Sequence, residues 1–444
     1  MNKFSSAIFK NRILSGQSVK NYLSVLLGIG SARIIALFNN VLIARFLGAE
    51  KYGQFSLFYV IMLFAWIVPQ SLDTTFVKFA KGQTTSGAMS NYWRANVQLK
   101  VIFCLSIILI SYPTGHLLAD VFFQKPQTAW LISYGLVCGA LLSIMNSVAS
   151  YFQVREKFGF FAVMQGLYTA TVCIGLLILF WITSIRNIAF VVYLYTAISG
   201  MIGAASLAML LGTIPNFSII EPGIIRNIIQ FGKWIFLTAI VFYAFPRIDG
   251  MVLTRYLSIE ALGHYSVASQ LTMAITVVTG SLSAVFLPKA MSVSLERGSL
   301  ASYIKDAVRP VSLILVCIVL LEFFAPLLVK IVYGPQYTNA ILPLRILLIG
   351  YIFSSIYLPL SFLYYTIDLP QIRFFLEAGK MCIVVILLVQ LTPLWDLIGT
   401  AISMSIAMAS NALFSGVLII LLLRNRKLHS RHQFVPADTV GNKP

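Results

Sequence analysis

Of the 444 residues, 59% are hydrophobic and 10% charged, and the mean hydropathy is +0.88. Soluble domains run near ~25% charged, so a surface this poor in charge excludes a water-soluble globular protein. The net charge of +18 sits between apolar runs, which excludes a nucleic-acid reading in favour of a topological signal.

Residues 1–21 form a basic tail with Lys3, Lys10, Arg12 and Lys20 but no apolar core, so no cleavable signal peptide is expected. Beyond it, apolar runs of about 20 residues alternate with short connections, and that length crosses a ~30 Å hydrocarbon layer as a helix. Twelve spans are predicted at 22–47, 53–77, 93–117, 129–152, 158–182, 188–212, 228–254, 263–287, 308–332, 342–366, 373–393 and 397–423. The fold class is all-α integral membrane, with about twelve transmembrane helices in two parallel-repeat six-helix bundles around a central cavity. The expected parts are a cytoplasmic tail at 1–21, an N-terminal bundle at 22–212, a cytoplasmic linker at 213–227, a C-terminal bundle at 228–424 and a cytoplasmic tail at 425–444. The five cysteines (Cys104, Cys138, Cys173, Cys317 and Cys382) lie inside apolar runs without metal-ligand spacing and read as small buried hydrophobes.

Lys and Arg set the orientation. With the N-terminus inside, 21 of the 32 fall on the cytoplasmic side and seven outside, while Arg33, Lys100, Arg247 and Lys380 lie within helices. The three-to-one bias and the even number of spans put both termini in the cytoplasm.

An internal repeat organises the chain. Residues 41–56 align without gaps on 251–266, matching Arg45 with Arg255, Leu47 with Leu257, Glu50 with Glu260, Gly53 with Gly263 and Ser56 with Ser266 at one offset of 210 residues. Each copy closes one helix, turns outside the membrane and opens the next. Six helices per copy give both halves one orientation, a parallel repeat of the kind that frames a central cavity in transporters. The charged residues Arg45, Glu50, Arg255 and Glu260 are expected to brace these outer turns.

At these residues the chain resembles a known family. The segment from Ile43 to Phe55, with Ala44, Arg45, Gly48, Tyr52 and Gly53, is similar to the first hairpin of Wzx-type polysaccharide flippases. Those flippases share a superfamily with multidrug and toxin extruders and lipid II flippases. A second stretch, Pro326 to Ala340 with Gly334 and Tyr337, followed by Leu344 and Arg345, resembles the family's pattern between the ninth and tenth helices. The resemblance implies a flippase that moves oligosaccharides carried on undecaprenyl pyrophosphate from the cytoplasmic to the periplasmic leaflet of a bacterial inner membrane. It implies alternating access, coupling to H⁺ or Na⁺, and a polysaccharide polymerase or chain-length machinery as a partner. Lipid II flippases carry an Arg-Asp pair where this chain has Asn39 and Asn40, and they have fourteen helices. That departure favours an O-antigen or capsule repeat unit over lipid II.

Such a cargo needs a water-filled cavity with cations for the pyrophosphate, so ionisable residues at membrane depth are the candidates; each costs about 3 kcal/mol to insert unless it is partnered or faces water. Arg33 lies near the midplane of the first helix, with Asn40 a heptad later on the same face and Asn39 beside it. They are expected to line the cavity, or else Arg33 pairs with a carboxylate to fix packing. In the seventh helix, Pro246 should introduce a kink, Arg247 suits a phosphate, and Asp249 either holds the coupling ion or neutralises an arginine. Glu322, four residues before Pro326, is a second ion-coupling candidate, or a buried partner of a neighbouring base. Glu377 and Lys380 are spaced as an i,i+3 ion pair or line the cavity mouth, and Asp73 with Lys78 is read in the same way. Neither the four histidines nor any loop forms a metal site, a phosphate cradle or a nucleophile elbow. No cofactor and no enzymatic activity are expected.

Two other functions compete. A multidrug or toxin exporter of the same superfamily needs few cationic cavity groups, whereas Arg33 and Arg247 suit an anionic cargo. A membrane glycosyl-polymerising enzyme would carry a large outer loop, and no outside segment here is longer than about 15 residues.

Overall fold

The computed structural model describes residues 16–432 apart from 68, 82–85, 156, 183–185, 213–221, 293–296 and 367–369. Backbone groups in hydrocarbon must bond within their own segment, which leaves helices as the solution for these apolar runs. In chain order they are α1 Gly16–Leu47, α2 Ala49–Ile67, α3 Gln70–Lys81, α4 Ser86–Leu117, α5 Ala129–Val154, α6 Phe158–Leu177, α7 Ile188–Gly212, α8 Pro222–Tyr256, α9 Ile259–Ser292, α10 Arg297–Leu328, α11 Ile341–Thr366 and α12 Pro370–His432. Every predicted span falls on helix. Eight stretches are long and apolar enough to cross a membrane by length and composition, counted over the described residues. The chain is an all-helical multi-pass membrane protein, and Leu109, Met201 and Phe323 present 73–78% of their surface outward, as lipid-facing side chains do.

Two expectations need correcting, on the second span and on the cysteines. The second predicted span carries a turn at Pro69, between α2 and α3, where proline has no N–H to give to the helical ladder. The last two predicted spans are two helices, as expected, although one label, α12, covers both: the backbone leaves helical geometry at Trp395 and Asp396, the latter with φ of +50°. Of the cysteines, Cys104 and Cys138 are buried but Cys317 and Cys382 are exposed, since a thiol is apolar enough for a lipid-facing helix position.

Contacts divide the chain into two compact units, residues 1–267 with 328–340, and residues 268–327 with 341–444. In the second unit α11 packs along α12, with a core of Phe286, Tyr303, Phe362 and Tyr364. The Tyr303 hydroxyl donates to the Pro359 carbonyl at 2.8 Å, a carbonyl-to-hydroxyl tie across helices. In the first unit α5 is central, packed by α2, α4 and α7.

Within the first unit the two repeat hairpins clasp one another reciprocally. A Cβ on Gly53 would lie 1.8 Å from the Ile259 carbonyl oxygen, and one on Gly263 would lie 2.0 Å from that of Ala49, so backbone meets backbone at both matched glycines. Arg45 donates to the Ile331 carbonyl, and Arg255 donates to the carbonyls of Val121, at 3.2 Å, and Phe122. Ile331 and Val121 are themselves 210 residues apart, as are Ala44 and Thr254, whose carbonyls accept from the Tyr337 hydroxyl at 2.8 Å and from Lys125. Partial burial pushes the Lys125 ammonium below the usual lysine range. The bracing expected of the two arginines is present, and the duplication extends beyond the aligned hairpins into the segments they grip.

Those segments match in backbone as well. α4 ends in a π-turn at Leu118–Phe122 and α10 in one at Val329–Tyr333, with a residue of positive φ one or two positions beyond, Gln124 (+55°) and Gly334 (+107°), again 210 apart. Gln124 can be glycine at no steric cost, whereas a Cβ at Gly334 is strained in φ and would sit 2.8 Å from the Gln336 side-chain oxygen. Gln124→Gly should therefore hold or raise the midpoint of thermal unfolding, and Gly334→Ala should lower stability by about 1–3 kcal/mol. Equal midpoints for the two variants would contradict the backbone assignment.

Candidate functional site

A buried polar centre forms where the second predicted span breaks. At the start of α3 the Pro69 carbonyl accepts from the Leu72 N–H at 3.2 Å and from the Lys100 ammonium at 3.0 Å. Asp73 sits one turn into α3, 2% exposed, and Lys100 reaches it from α4 with no exposure at all. Their Nζ–Oδ2 distance is 2.5 Å. Asn96, one turn before Lys100, donates to Asp73 Oδ1 at 3.2 Å, and the Ser147 hydroxyl of α5 donates to the same oxygen at 2.6 Å. Three donors thus converge on one carboxylate, the arrangement that makes a desolvated charge tolerable. Behind it stands an apolar wall of Phe76, Trp93, Ile144 and Val148, with the Phe76 and Trp93 rings 4.9 Å apart.

Beside this centre α3 and α5 part to leave a pocket of about 170 Å³. Gln70, Thr74 and Val77 line one wall, Asn146, Ser150 and Gln153 the other, with Asp73 contributing to the lining. Asn146 is 4% exposed, yet neither its amide nitrogen nor its amide oxygen has a hydrogen-bond partner. Two unsatisfied groups on one buried side chain are costly, and the residue borders the pocket.

The predicted candidates are placed as follows. Asp73 does not pair with Lys78: five residues on a helix rotate the chain by about 140° past a full turn, so Lys78 is exposed beside the Phe79 ring while Asp73 turns inward to Lys100. Glu377 and Lys380 form the i,i+3 pair that their spacing suggests, at 2.5 Å and with Glu377 buried. Glu322 meets Arg345 at 3.5 Å across α10 and α11, both half exposed. Asp249 is 5% exposed and accepts from the Tyr265 hydroxyl at 2.8 Å and the Gly250 N–H at 2.7 Å. Arg247, half-buried, interacts electrostatically with Asp249 and Tyr59.

Arg33, Asn39 and Asn40 do not form one open stripe. Arg33 is exposed among exposed Ile34, Leu37 and Phe38. Asn39 donates to the Thr169 carbonyl at 3.1 Å, and Asn40 donates to the Ala36 carbonyl at 2.8 Å while Tyr52 covers its oxygen. A heptad does return to the same face, but α1 is covered by α6 and α2 at its later turns, so the asparagines are packed and the arginine is not.

The residues that complete the centre, Lys100, Asn96, Asn146 and Ser147, were not among the sequence candidates. A lone lysine in an apolar span was the available signal, and Pro69 inside the second span was the other.

A family model described as polysaccharide biosynthesis protein matches residues 18–294, more than half of the chain. The chain belongs to that family. Among solved structures, the lipid II flippase MurJ in an inward closed conformation is similar at a TM-score of 0.74 and 15% identity, covering 96% of this chain and 94% of that one. An inward-facing multidrug resistance MATE transporter of the MOP superfamily gives a TM-score of 0.74 at 13% identity, over 89% of this chain and 95% of the other. A MOP superfamily transporter from Pyrococcus furiosus gives 0.56 at 14% identity, over 92% and 96%. No curated protein matches. These likenesses give the polysaccharide biosynthesis chain the fold of MOP-superfamily transporters.

Proposed function

We propose that the chain is a flippase that carries undecaprenyl-pyrophosphate-linked oligosaccharide repeat units from the cytoplasmic to the periplasmic leaflet of a bacterial inner membrane, with both termini in the cytoplasm. The observation that carries this reading is the polysaccharide biosynthesis family match on a chain with a MOP-superfamily transporter fold. A sugar-bearing pyrophosphate lipid has a headgroup that hydrocarbon rejects and a tail that it accepts, which is the cargo such a membrane fold can serve without chemistry. The cargo is taken to be an O-antigen or capsule unit, and the two bundles are taken at 22–212 and 228–424.

In this reading Arg33 and Arg247 meet the pyrophosphate, a role suited to guanidinium forks. Asp249 and Glu322 are the sites at which H⁺ or Na⁺ couples to transport; both carboxylates have a partner to exchange, Tyr265 for one and Arg345 for the other. Asn39 and Asn40 stiffen α1 by their backbone contacts, and Glu377 with Lys380 sits at the cavity mouth. The reciprocal hairpin clasp is the contact that must loosen when the site opens outward. Delivery to a polymerase or chain-length machinery follows on the periplasmic side.

A strain lacking the protein should lose its surface glycan and accumulate the lipid-linked repeat unit, measured by glycan gels and by mass spectrometry of extracted lipids. Intact surface glycan in that strain refutes the proposal, and a concurrent rise in sensitivity to cationic drugs would mark a multidrug exporter instead.

A further inference from the structure

His264 is a buried titratable side chain at the crossing of the two repeat hairpins, apart from the residues assigned to the cargo or the coupling ion. It follows Gly263, one of the two glycines at which backbone meets backbone, and it is 5% exposed. Its ring stands edge-on to Tyr337 with centroids 5.7 Å apart, and the hydroxyl of that tyrosine donates to the Ala44 carbonyl. The imidazole therefore packs against a side chain that ties the clasp shut. At the repeat offset of 210 its matched residue is Gln54, an amide with no proton to gain near neutral pH. At this position one hairpin titrates and the other does not.

The two ring nitrogens have different surroundings. Nε2 lies 3.8 Å from a Glu260 carboxylate oxygen on the same helix, so the single proton of the neutral ring belongs there. Nδ1 is buried and has no hydrogen-bond partner among the described residues. A second proton would go to Nδ1 and leave a buried cation with one N–H unpaired, which costs more than a neutral ring. Glu260 offsets little of that cost, because its side chain is 62% exposed and screened by water.

Among the described neighbours no other group titrates between about pH 5.5 and about pH 7.5. Tyr337 is a phenol, as are Tyr333 and Tyr52 behind it at ring distances of 6.0 and 6.1 Å. Arg45 on α1 and Lys51 on α2 stay cations, and exposed Glu50 on α2 stays an anion. Once the hairpins part, water reaches Nδ1 and the ring takes its second proton. The open form thus binds one proton more than the clasped form, which fixes the sign: acid favours opening and alkali favours closure.

We propose that His264 is an acid-sensitive latch on the hairpin clasp, whose protonation loosens the crossing and shifts the carrier toward its outward-open form. The proposal rests on the flippase reading in taking clasp opening as the step that exposes the site outward. Acidity outside the membrane then favours release of cargo over reloading.

The test follows amide hydrogen exchange of residues 44–56 and 254–266 in the full chain in lipid nanodiscs, each rate corrected for the intrinsic effect of pH. A histidine that titrates near ~6.5 when open and stays neutral when clasped raises opening about tenfold between about pH 7.5 and about pH 5.5, so wild-type protection should fall by that factor. His264→Gln carries the residue of the matched position and His264→Phe keeps a ring edge against Tyr337; neither titrates, and each should change by less than about twofold over the same range. Glu260→Gln removes the nearest counter-charge and should loosen in acid as much as the wild type or more. Wild-type protection that is flat or rises in acid, loosening of both His264 variants as large as the wild type's, or loss of the response in Glu260→Gln would each overturn the latch. If the latch fails while a deletion strain still accumulates lipid-linked units, the flippase reading survives. If the clasp loosens in acid as expected while surface glycan is intact in that strain, the latch survives and the flippase reading does not.

Discussion

Lys100→Met is expected to be among the most destabilising single substitutions in the chain, lowering stability by about 3–5 kcal/mol, because it strands a buried carboxylate whose partner is gone. The pair is 1% and 3% exposed at the side chains, so solvent cannot take over the role of the ammonium. Methionine keeps the unbranched stem and isolates the charge as the cause. In Asp73→Asn/Lys100→Met the asparagine retains an oxygen that Asn96 and Ser147 can donate to, no charge is left uncompensated, and most of the loss should be recovered. Arg345→Met is the comparison: its pair with Glu322 is 3.5 Å apart and 43% and 38% exposed, so a less buried carboxylate loses its partner and the loss should be the smaller of the two. Unfolding midpoints of the purified proteins in one detergent decide the matter. A Lys100→Met protein as stable as the wild type, or a double variant no better than the single one, would contradict the assignment of this centre.

Most of the fold was legible in the sequence because a bilayer permits so few solutions. Runs of apolar residues long enough to cross it must be helices, and the described residues of the predicted spans are helical apart from the turn at Pro69. What hydropathy could not resolve was continuity within a run. Pro69 lies in a stretch apolar enough to read as one span, yet it sits in a turn before α3 and its carbonyl accepts from Lys100. The candidate site was legible only in part for the same reason. Asp73 was visible as a charge in an apolar segment, but the identity of its partner depends on which helices pack together, and spacing along one helix pointed to Lys78 instead. Asn146 and Ser147 carry no charge and lie in a run of small residues, so nothing in composition separates them from ordinary helix-packing positions. The repeat was the strongest long-range signal. It matched Gly53 with Gly263 and Arg45 with Arg255 by sequence alone, though not that the matched residues would meet.

That meeting leads to the second large effect. Gly53→Ala and Gly263→Ala should each disable export and reduce stability by about 3 kcal/mol or more, the upper range for overpacking, because the added Cβ would overlap a backbone carbonyl rather than a side chain that can swing away. A collision at 1.8 Å with Ile259 cannot be relieved without moving α2 and α9 apart, and the reciprocal collision of Gly263 with Ala49 demands the same movement. The two substitutions therefore share one cost, and the double variant should be much less than additive, the sign of residues acting on one displacement. Helix propensity works in the opposite direction: alanine is better than glycine by up to ~1 kcal/mol in a helix interior, so a net loss at these positions can come only from the crossing. Gly416→Ala supplies the control, since nothing lies within 4 Å of the added methyl and propensity alone should leave that variant as stable as the wild type or more so. Surface-glycan rescue of the deletion strain and unfolding midpoints give independent readouts. Full rescue by Gly53→Ala would mean that the hairpins do not press together in the working protein, whereas rescue by Gly416→Ala beside failure of both repeat glycines would locate the requirement in the paired crossing itself.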